Sequence, residues 1–411
     1  MIFTGPGVRI PLSPPETERG ASSTPLFFIL LNLKLSHMNR KDFIYQTAVG
    51  LAALGVGVSC TQQKRKKISK IAPQTVAAEM GDIRAVLLHL GRNMWCDYPT
   101  EMMGAPAPES AESMNRKPKY KIVCTVDIWR RIVDHAAKAG VNMIVIDLGE
   151  GLYYPSHPEL AVEGTWSVET MREEIKYMNE RGIEAVPKLN FSTAHNGWMG
   201  DYTHMISSKP YYRMCEEVIS DVVEIFGHPR FFHIGMDEER IDFLQRQKAQ
   251  YVCSRMGEFW WQDFYHIVRE VEKHGARPWM WSDYCWNTED FYEKCPKNVI
   301  QQNWYYDQQN GGFDIETNPT TDARILKAFV KLDEAGFDQV PCGTNWVGWK
   351  RRELGLKADD VMGKLVKFGR DNISKSRLQG FMMATWLTSV DDEEVLQKIL
   401  KGIDLLGEAM K

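Results

Sequence analysis

A single (β/α)8 barrel is the fold class this sequence predicts, on three observations. Short β-rich runs alternate with longer amphipathic patterns, the alternation repeats eight times, and no linker divides residues 81–411. Strands that alternate with helices must run parallel, with the helices as crossovers, and eight such units fit one barrel. An open doubly wound sheet is the alternative reading of the same alternation.

Residues 1–37, with PLSPP and an isolated FFILL too short to span a bilayer, read as an upstream extension outside the fold. Residues 38–60, MNRKDFIYQTAVGLAALGVGVSC, read as an export signal. Arg40 and Lys41 give a positive start, Ala48 to Val58 a short apolar stretch, and Ser59-Cys60 a small residue before a cysteine. The stretch resembles a bacterial lipoprotein signal with Cys60 lipidated, and Arg-Lys-Asp-Phe resembles a relaxed twin-arginine signal. Gly57 departs from the usual residue three before such a cysteine, and an N-terminal helix of the fold is the other reading. The expected location is the periplasm or cell surface, with membrane contact only through a lipid anchor. Residues 61–80, beginning TQQKRKKISK, form a basic linker.

The strand candidates then follow in order: IRAVLLHL (83–90), VNMIVIDL (141–148), IEAVPKLNF (183–191), FFHIGM (231–236), PWMWSD (278–283), VIQQNW (299–304), QVPCGTNW (339–346) and LQGFMMATW (378–386). Between them lie periodic patterns such as VDIWRRIVDHAAKAG and FWWQDFYHIVREVEKHG, several closing on a glycine suited to end a helix.

Composition excludes some functions. Basic residues are scattered and the net charge is -4, so there is no footprint for a nucleic acid backbone. The eight cysteines contain no Cys-x-x-Cys spacing and indicate neither a zinc site nor a disulfide framework, although export leaves room for a disulfide or two. His89, His195 and His233 are too isolated to suggest a metal-dependent hydrolase, and no cofactor is expected. His89 and His233 read as hydrogen-bonded core residues. The 13 Trp, 15 Tyr and 17 Phe suit a large core or the stacking of sugar rings.

In a (β/α)8 barrel the chemistry gathers at the C-terminal ends of the strands. Here those ends carry Asp147 and Glu150; Lys188, Asn190 and His195; Asp237, Glu238 and Glu239; Asp283; Asn303 and Trp304; Asn345 and Trp346; and Thr385 and Trp386. Along the fourth strand, alternation puts His233, Gly235 and Asp237 on one face and the apolar Ile234 and Met236 on the other, which directs Asp237 inward. Glu238 lies just past the strand, free to turn to the same cavity. Glu239 reads as a helix-start acid. Two carboxyl groups in differently tuned settings are what glycosidic cleavage needs.

His233-Ile234-Gly235-Met236-Asp237-Glu238 resembles the His-x-Gly-Gly-Asp-Glu motif of the β-N-acetylhexosaminidases, glycoside hydrolase family 20. The likeness continues around the barrel. Arg84 is similar to an arginine that holds hydroxyls of the terminal sugar, Glu150 falls at an acid kept after the second strand, and PKLNFSTAH ending at His195 resembles a Pro-Glu-Ile-Asp-x-Pro-Gly-His loop. Trp281, Trp304 and Trp386 fall on the strands that supply tryptophan walls of the acetamido pocket. The resemblance implies that Asp237 orients the substrate's 2-acetamido group, that Glu238 is the general acid/base, and that His195 and Glu150 tune Glu238.

The sequence also departs from that pattern. Met236 replaces the second glycine, Thr388 stands where the last strand has a glutamate, Asn345-Trp346-Val347 replaces a Tyr-x-Asp, with Tyr305 or Tyr306 as substitutes, and the small α/β domain before the barrel is missing. Three readings stay open. One is an exported retaining, exo-acting glycosidase of N-acetylhexosamine-like glycans, with Asp283 among its substrate-binding residues. A second is a glycosidase in which Asp283 or Glu150 is the nucleophile. The third is a silent barrel that binds glycans through Trp281, Trp304, Trp346 and Trp386.

Overall fold

In the computed structural model of the chain, eight parallel strands pair in the order β6-β5-β4-β3-β2-β1-β8-β7. They are β1 (Ile83–His89), β2 (Met143–Asp147), β3 (Glu184–Lys188), β4 (Phe231–His233), β5 (Arg277–Trp281), β6 (Ile300–Gln302), β7 (Cys342–Thr344) and β8 (Gly380–Thr388). Parallel bridges from Gln301 to Gln339 and from Trp304 to Cys342 join β6 to β7 and close the ring. The fold is the (β/α)8 barrel.

The structure describes residues 73–95, 120–239, 255–388 and 392–411, all inside one unit, Arg65–Lys411. The expected extension, export signal and lipidated Cys60 lie outside the described residues, as do Cys96 and Cys253.

Among the described residues the α-helices are α1 (Val126–Lys138), α2 (Val168–Asn179), α3 (Lys209–Ile225), α4 (Glu258–Lys273), α5 (Phe291–Lys294), α6 (Ala323–Glu334), α7 (Trp349–Glu353), α8 (Val361–Asn372) and α9 (Glu393–Ala409). Several begin where the chain offers a side-chain acceptor to the free N–H groups of the first turn. Thr125, Ser167, Ser208 and Asp392 cap α1, α2, α3 and α9 in this way, each such cap contributing about 1 kcal/mol.

Two-residue periodicity divides the core into two shells. Ala85, Leu87, Met143, Val145, Val186, Trp279, Trp281, Ile300, Met382 and Ala384 fill the barrel interior. Val86, Leu88, Ile144, Ile146, Phe232, Met280, Phe381 and Met383 meet the helices. The same parity sends the strand-end residues His89, Asp147, Lys188 and His233 inward. They stand in one pairing register, His89 beside Asp147, Asp147 beside Lys188 and Lys188 beside His233.

The expected eightfold alternation is thin in one place. Between β5 and β6 the only α-helix is the single turn α5, because the chain there has no long apolar period. Aromatic rings cover that flank instead. Trp260 stacks on Tyr284 at 3.8 Å and on Phe264 at 5.0 Å, and Trp261 meets Phe291 at 5.9 Å.

The described cysteines, Cys124, Cys215, Cys285, Cys295 and Cys342, are free and buried. Among the described residues no helix is long and apolar enough to cross a membrane, and no group of His, Cys, Asp or Glu is placed to hold a metal ion.

Candidate active site

The β4 ladder ends at His233, three residues earlier than the sequence suggests, yet the chain keeps its place in the sheet. Ile234 N–H donates to Trp279 O (2.8 Å) and Trp281 N–H to Gly235 O (3.0 Å). What changes is the backbone: Gly235, Met236 and Glu238 have φ of +71°, +74° and +60°. A Cβ at Gly235 would lie 2.8 Å from Asn190 Cα and collide with the Asn190 amide, so only glycine fits there. Met236 is a non-glycine residue in the same left-handed region, its side chain buried in the outer shell. A glycine would adopt this backbone without strain, whereas methionine adopts it at a cost.

Asp237 does point inward, and it is buried. Asn190 Nδ2 donates to its Oδ1 at 2.8 Å, while Asn190 Oδ1 accepts Ser192 N–H (3.0 Å) and Met236 N–H (3.3 Å). Ser192 Oγ donates to the Asp237 carbonyl. Strict alternation would send Glu238 to the opposite side, but its left-handed backbone turns it back. As a result both carboxylates reach one imidazole: His195 Nε2 lies 3.4 Å from Asp237 Oδ2 and 3.2 Å from Glu238 Oε2. The backbone N–H of Glu238 donates to Asp283 Oδ2 at 2.8 Å. Of the three groups at the cluster, Glu238 is the most open, its side chain 33% accessible against 8% for Asp237 and 4% for His195.

The charges follow from these contacts. Burial works against an imidazolium at His195, but Asp237 and then Glu238 outweigh it and lift its pKa to about 10. Burial likewise opposes ionisation of Asp237, yet the charge and hydrogen bond of His195 bring it down to about 2. Beneath them, Lys188 donates to buried Asp147. Burial would raise the Asp147 carboxyl, but Lys188 and His89 hold it well below the usual range. His233 is neutral, pushed by burial to about 3, with Nδ1 accepting Gly235 N–H (3.1 Å) and Nε2 facing Gln302 Oε1 at 2.8 Å.

Aromatic rings form one wall of this mouth. Trp281 lies 5.4 Å from Trp304 and 5.6 Å from Trp386, and Tyr306 lies 6.2 Å from Trp386. His233 and His89 touch the same set, at 5.0 Å from Trp281 and 5.7 Å from Trp386.

Two sequence expectations, those for Arg84 and Tyr305, are corrected here. Arg84 sits at the start of β1, pairing with Asp82 at 3.3 Å; strand direction puts it at the barrel end opposite the acids. Tyr305 packs in the outer cluster with Phe329 and Phe368 and donates to Gly312 O (2.7 Å), while its neighbour Tyr306 faces inward. At Trp346 the Arg352 guanidinium lies 5.9 Å from the ring centre. Glu150 is buried, but its carboxylate accepts the N–H groups of Arg92 (2.6 Å) and Asn93 (3.1 Å) in the loop after β1; burial raises its pKa to about 7. Glu239 is buried and paired with Arg255; the residues after it, where the expected helix start falls, lie outside the described ones.

Arg255 was not foreseen, since a lone arginine in a polar stretch gives no pattern. Asp263 did leave a signal, as an acid on the apolar stripe of α4 beside Trp260, Phe264 and Ile267; a charge there asks for a buried partner.

Comparison with protein families matches residues 98–401 to "Glycosyl hydrolase family 20, catalytic domain". No curated protein matches the chain in sequence. Among solved structures it is similar to a mutant Streptomyces plicatus β-hexosaminidase in complex with product (GlcNAc), with TM-score 0.51 and 14% identity over 81% of this chain and 64% of that one. It is also similar to a Vibrio harveyi exo-β-N-acetylglucosaminidase in complex with N-acetylglucosamine, with TM-score 0.50 and 13% identity over 79% of this chain. The chain spans 54% of that second structure, and at such identities the likeness speaks for the fold. With most of its length matched and that barrel observed, the chain belongs to glycosyl hydrolase family 20.

Proposed function

We propose that the protein is a retaining, exo-acting glycosidase of N-acetylhexosamine-like glycans that works by substrate assistance. The observation that carries this reading is the sharing of His195 Nε2 by Asp237 and Glu238, with one carboxylate buried and the other open to the mouth. Each position suits a different task. Asp237, ionised and held by Asn190 and His195, accepts a hydrogen bond from the acetamido N–H and balances the charge that develops on that group. Glu238, at the accessible edge, exchanges a proton with the glycosidic oxygen.

In the first step the acetamido carbonyl oxygen forms a bond to the anomeric carbon as the bond to the leaving oxygen breaks, and that oxygen takes the Glu238 proton. In the second step a water gives its proton to the Glu238 carboxylate while its oxygen attacks the anomeric carbon and reopens the oxazolinium ring. Two inversions retain configuration. Trp281, Trp304, Trp386 and Tyr306 supply the apolar surface for the acetamido methyl and sugar face. Asp283 serves the Glu238 backbone, which favours a supporting role over a nucleophilic one.

The test compares an aryl N-acetyl-β-glucosaminide with the matching β-glucoside. Turnover of the first only, inhibition by a thiazoline analogue of the intermediate, a β-configured first product by NMR, and losses of at least about 10²-fold in Glu238→Gln and Asp237→Asn are expected. Glucoside turnover of equal rate would point to a protein nucleophile. Glycan binding without turnover would leave a silent barrel.

For location, we propose export with a lipid on Cys60, motivated by the charged, apolar and Ser-Cys segments of residues 38–60. Mass spectrometry of the mature N-terminus checks this; a chain that keeps residues 38–59 and lacks an acyl group would refute it.

A further inference from the structure

Behind the acid pair lies a buried ion cluster that the proposed reaction does not use. The Arg255 guanidinium, 3% exposed, spends its donors on three elements. Nε donates to Glu239 Oε2 (3.1 Å) and Nη2 to Glu239 Oε1. Nη2 also donates to Phe191 O at 2.8 Å, and Nη1 to Asp263 Oδ2 at 2.9 Å. The carboxylates are tied further. Glu239 Oε1 accepts Thr193 N–H (2.9 Å), and Asp263 accepts from Ser207 Oγ (2.7 Å) and Tyr212 Oη. Arg255, Glu239 and Asp263 are all buried.

The connections converge on the proton-transfer groups from two sides. Glu239 follows Glu238 directly, on the segment after β4. Phe191 and Thr193 belong to the segment after β3 that presents His195, two residues beyond Thr193. One guanidinium and one carboxylate thus fasten both segments to each other and, through Asp263, to α4 and to the start of α3. A buried pair of this kind gains little net stability over apolar packing, because desolvation offsets much of the attraction. It does fix geometry, since a planar fork satisfied on both edges permits one arrangement.

We propose that the Arg255–Glu239–Asp263 cluster is a positioning unit for the acid/base pair: it sets the His195 to Glu238 distance by clamping the two segments that carry them. This rests on the reading of Glu238 as acid/base, and its test is built to fail separately. Arg255→Lys keeps the charge but cannot reach Glu239, Asp263 and Phe191 O together. Its kcat on an aryl N-acetylglucosaminide should fall about 10²-fold, the scale of an ångström-sized misplacement, with KM within about threefold. The measurement is made well below the midpoint of thermal unfolding.

The second readout is the NMR titration midpoint of the His195 imidazole, assigned against His195→Gln. It should fall in Arg255→Lys, because the imidazole loses its fixed approach to the carboxylates. Should Arg255→Lys fail to fold, Glu239→Gln, which can still accept Thr193 N–H, takes its place in both measurements. An unfolding midpoint that drops while kcat and the His195 midpoint stay at wild-type values would overturn the proposal. If the wild type turns over no such substrate, the reading of the reaction fails, and the His195 midpoint still decides the clamp.

Discussion

His195 Nε2 and Asp237 Oδ2 stand 3.4 Å apart, both residues buried and oppositely charged. The His195 pKa is raised from 6.5 to about 10, so its stabilising effect is complete below pH 6.5 and is lost as pH rises through about 10. The Asp237 pKa is lowered from 3.8 to about 2, so its effect is present above pH 3.8 and is lost as pH falls through about 2. His195→Asn is therefore expected to flatten the decline in unfolding free energy between pH 6.5 and 10. At pH 7 it should cost about 3–5 kcal/mol, since it leaves a buried carboxylate without its cation. Urea unfolding at several pH values reads both effects.

Glu150 gives a slope of opposite origin. Its folded pKa of about 7 exceeds the ordinary 4.5, so the folded chain holds the extra proton across that window, and this group lowers stability as pH rises from about 4.5 to about 7. Glu150→Gln still accepts an N–H from Arg92 or Asn93 and carries no charge. The variant should gain on the wild type in melting temperature between pH 4.5 and pH 8; an unchanged difference would show that Glu150 is not charged against its surroundings.

Met236 offers a test of backbone shape. At most positions glycine is less stable than alanine by roughly 0.5–1 kcal/mol. With φ at +74° the order should invert, Met236→Gly being more stable than Met236→Ala by about 1 kcal/mol. Both should be less stable than the wild type, because both empty the same buried volume.

The Lys188 and Asp147 pair predicts a recovery. Lys188→Met leaves Asp147 buried beside a His89 whose protonation burial disfavours, and should cost about 3–5 kcal/mol. Adding Asp147→Asn removes the stranded charge and should restore most of that loss. Denaturant midpoints of the two singles and the double give the coupling; additive losses would contradict it.

Much of this site was legible because strand parity and strand direction are simple rules. Parity turned Asp237 inward, and the motif likeness singled out Glu238 and His195. The same two rules, applied fully, would have removed two errors. Arg84 opens its strand and so belongs to the far end of the barrel, whatever motif it resembles. Tyr306 shares its parity with Ile300, Gln302 and Trp304, and Tyr305 does not. Other features had no local signal. The left-handed backbone that returns Glu238 to His195 depends on Asn190 and Asp283, 48 and 45 residues away by their numbers. Arg255 acquires its meaning only when α4 brings Asp263 beside Glu239. The single-turn α5 is offset by Trp260, Trp261 and Tyr284, whose aromatic content was visible but whose placement was not.

The ion pair between Glu239 and Arg255 also joins residues 16 positions apart, and the same guanidinium holds Phe191 O and Asp263. The residue next to Glu238 is therefore tied to the exit of β3 and to α4 by one side chain, so a substitution at Asp263, on a helix at the rear of the site, reaches Glu238 without touching it.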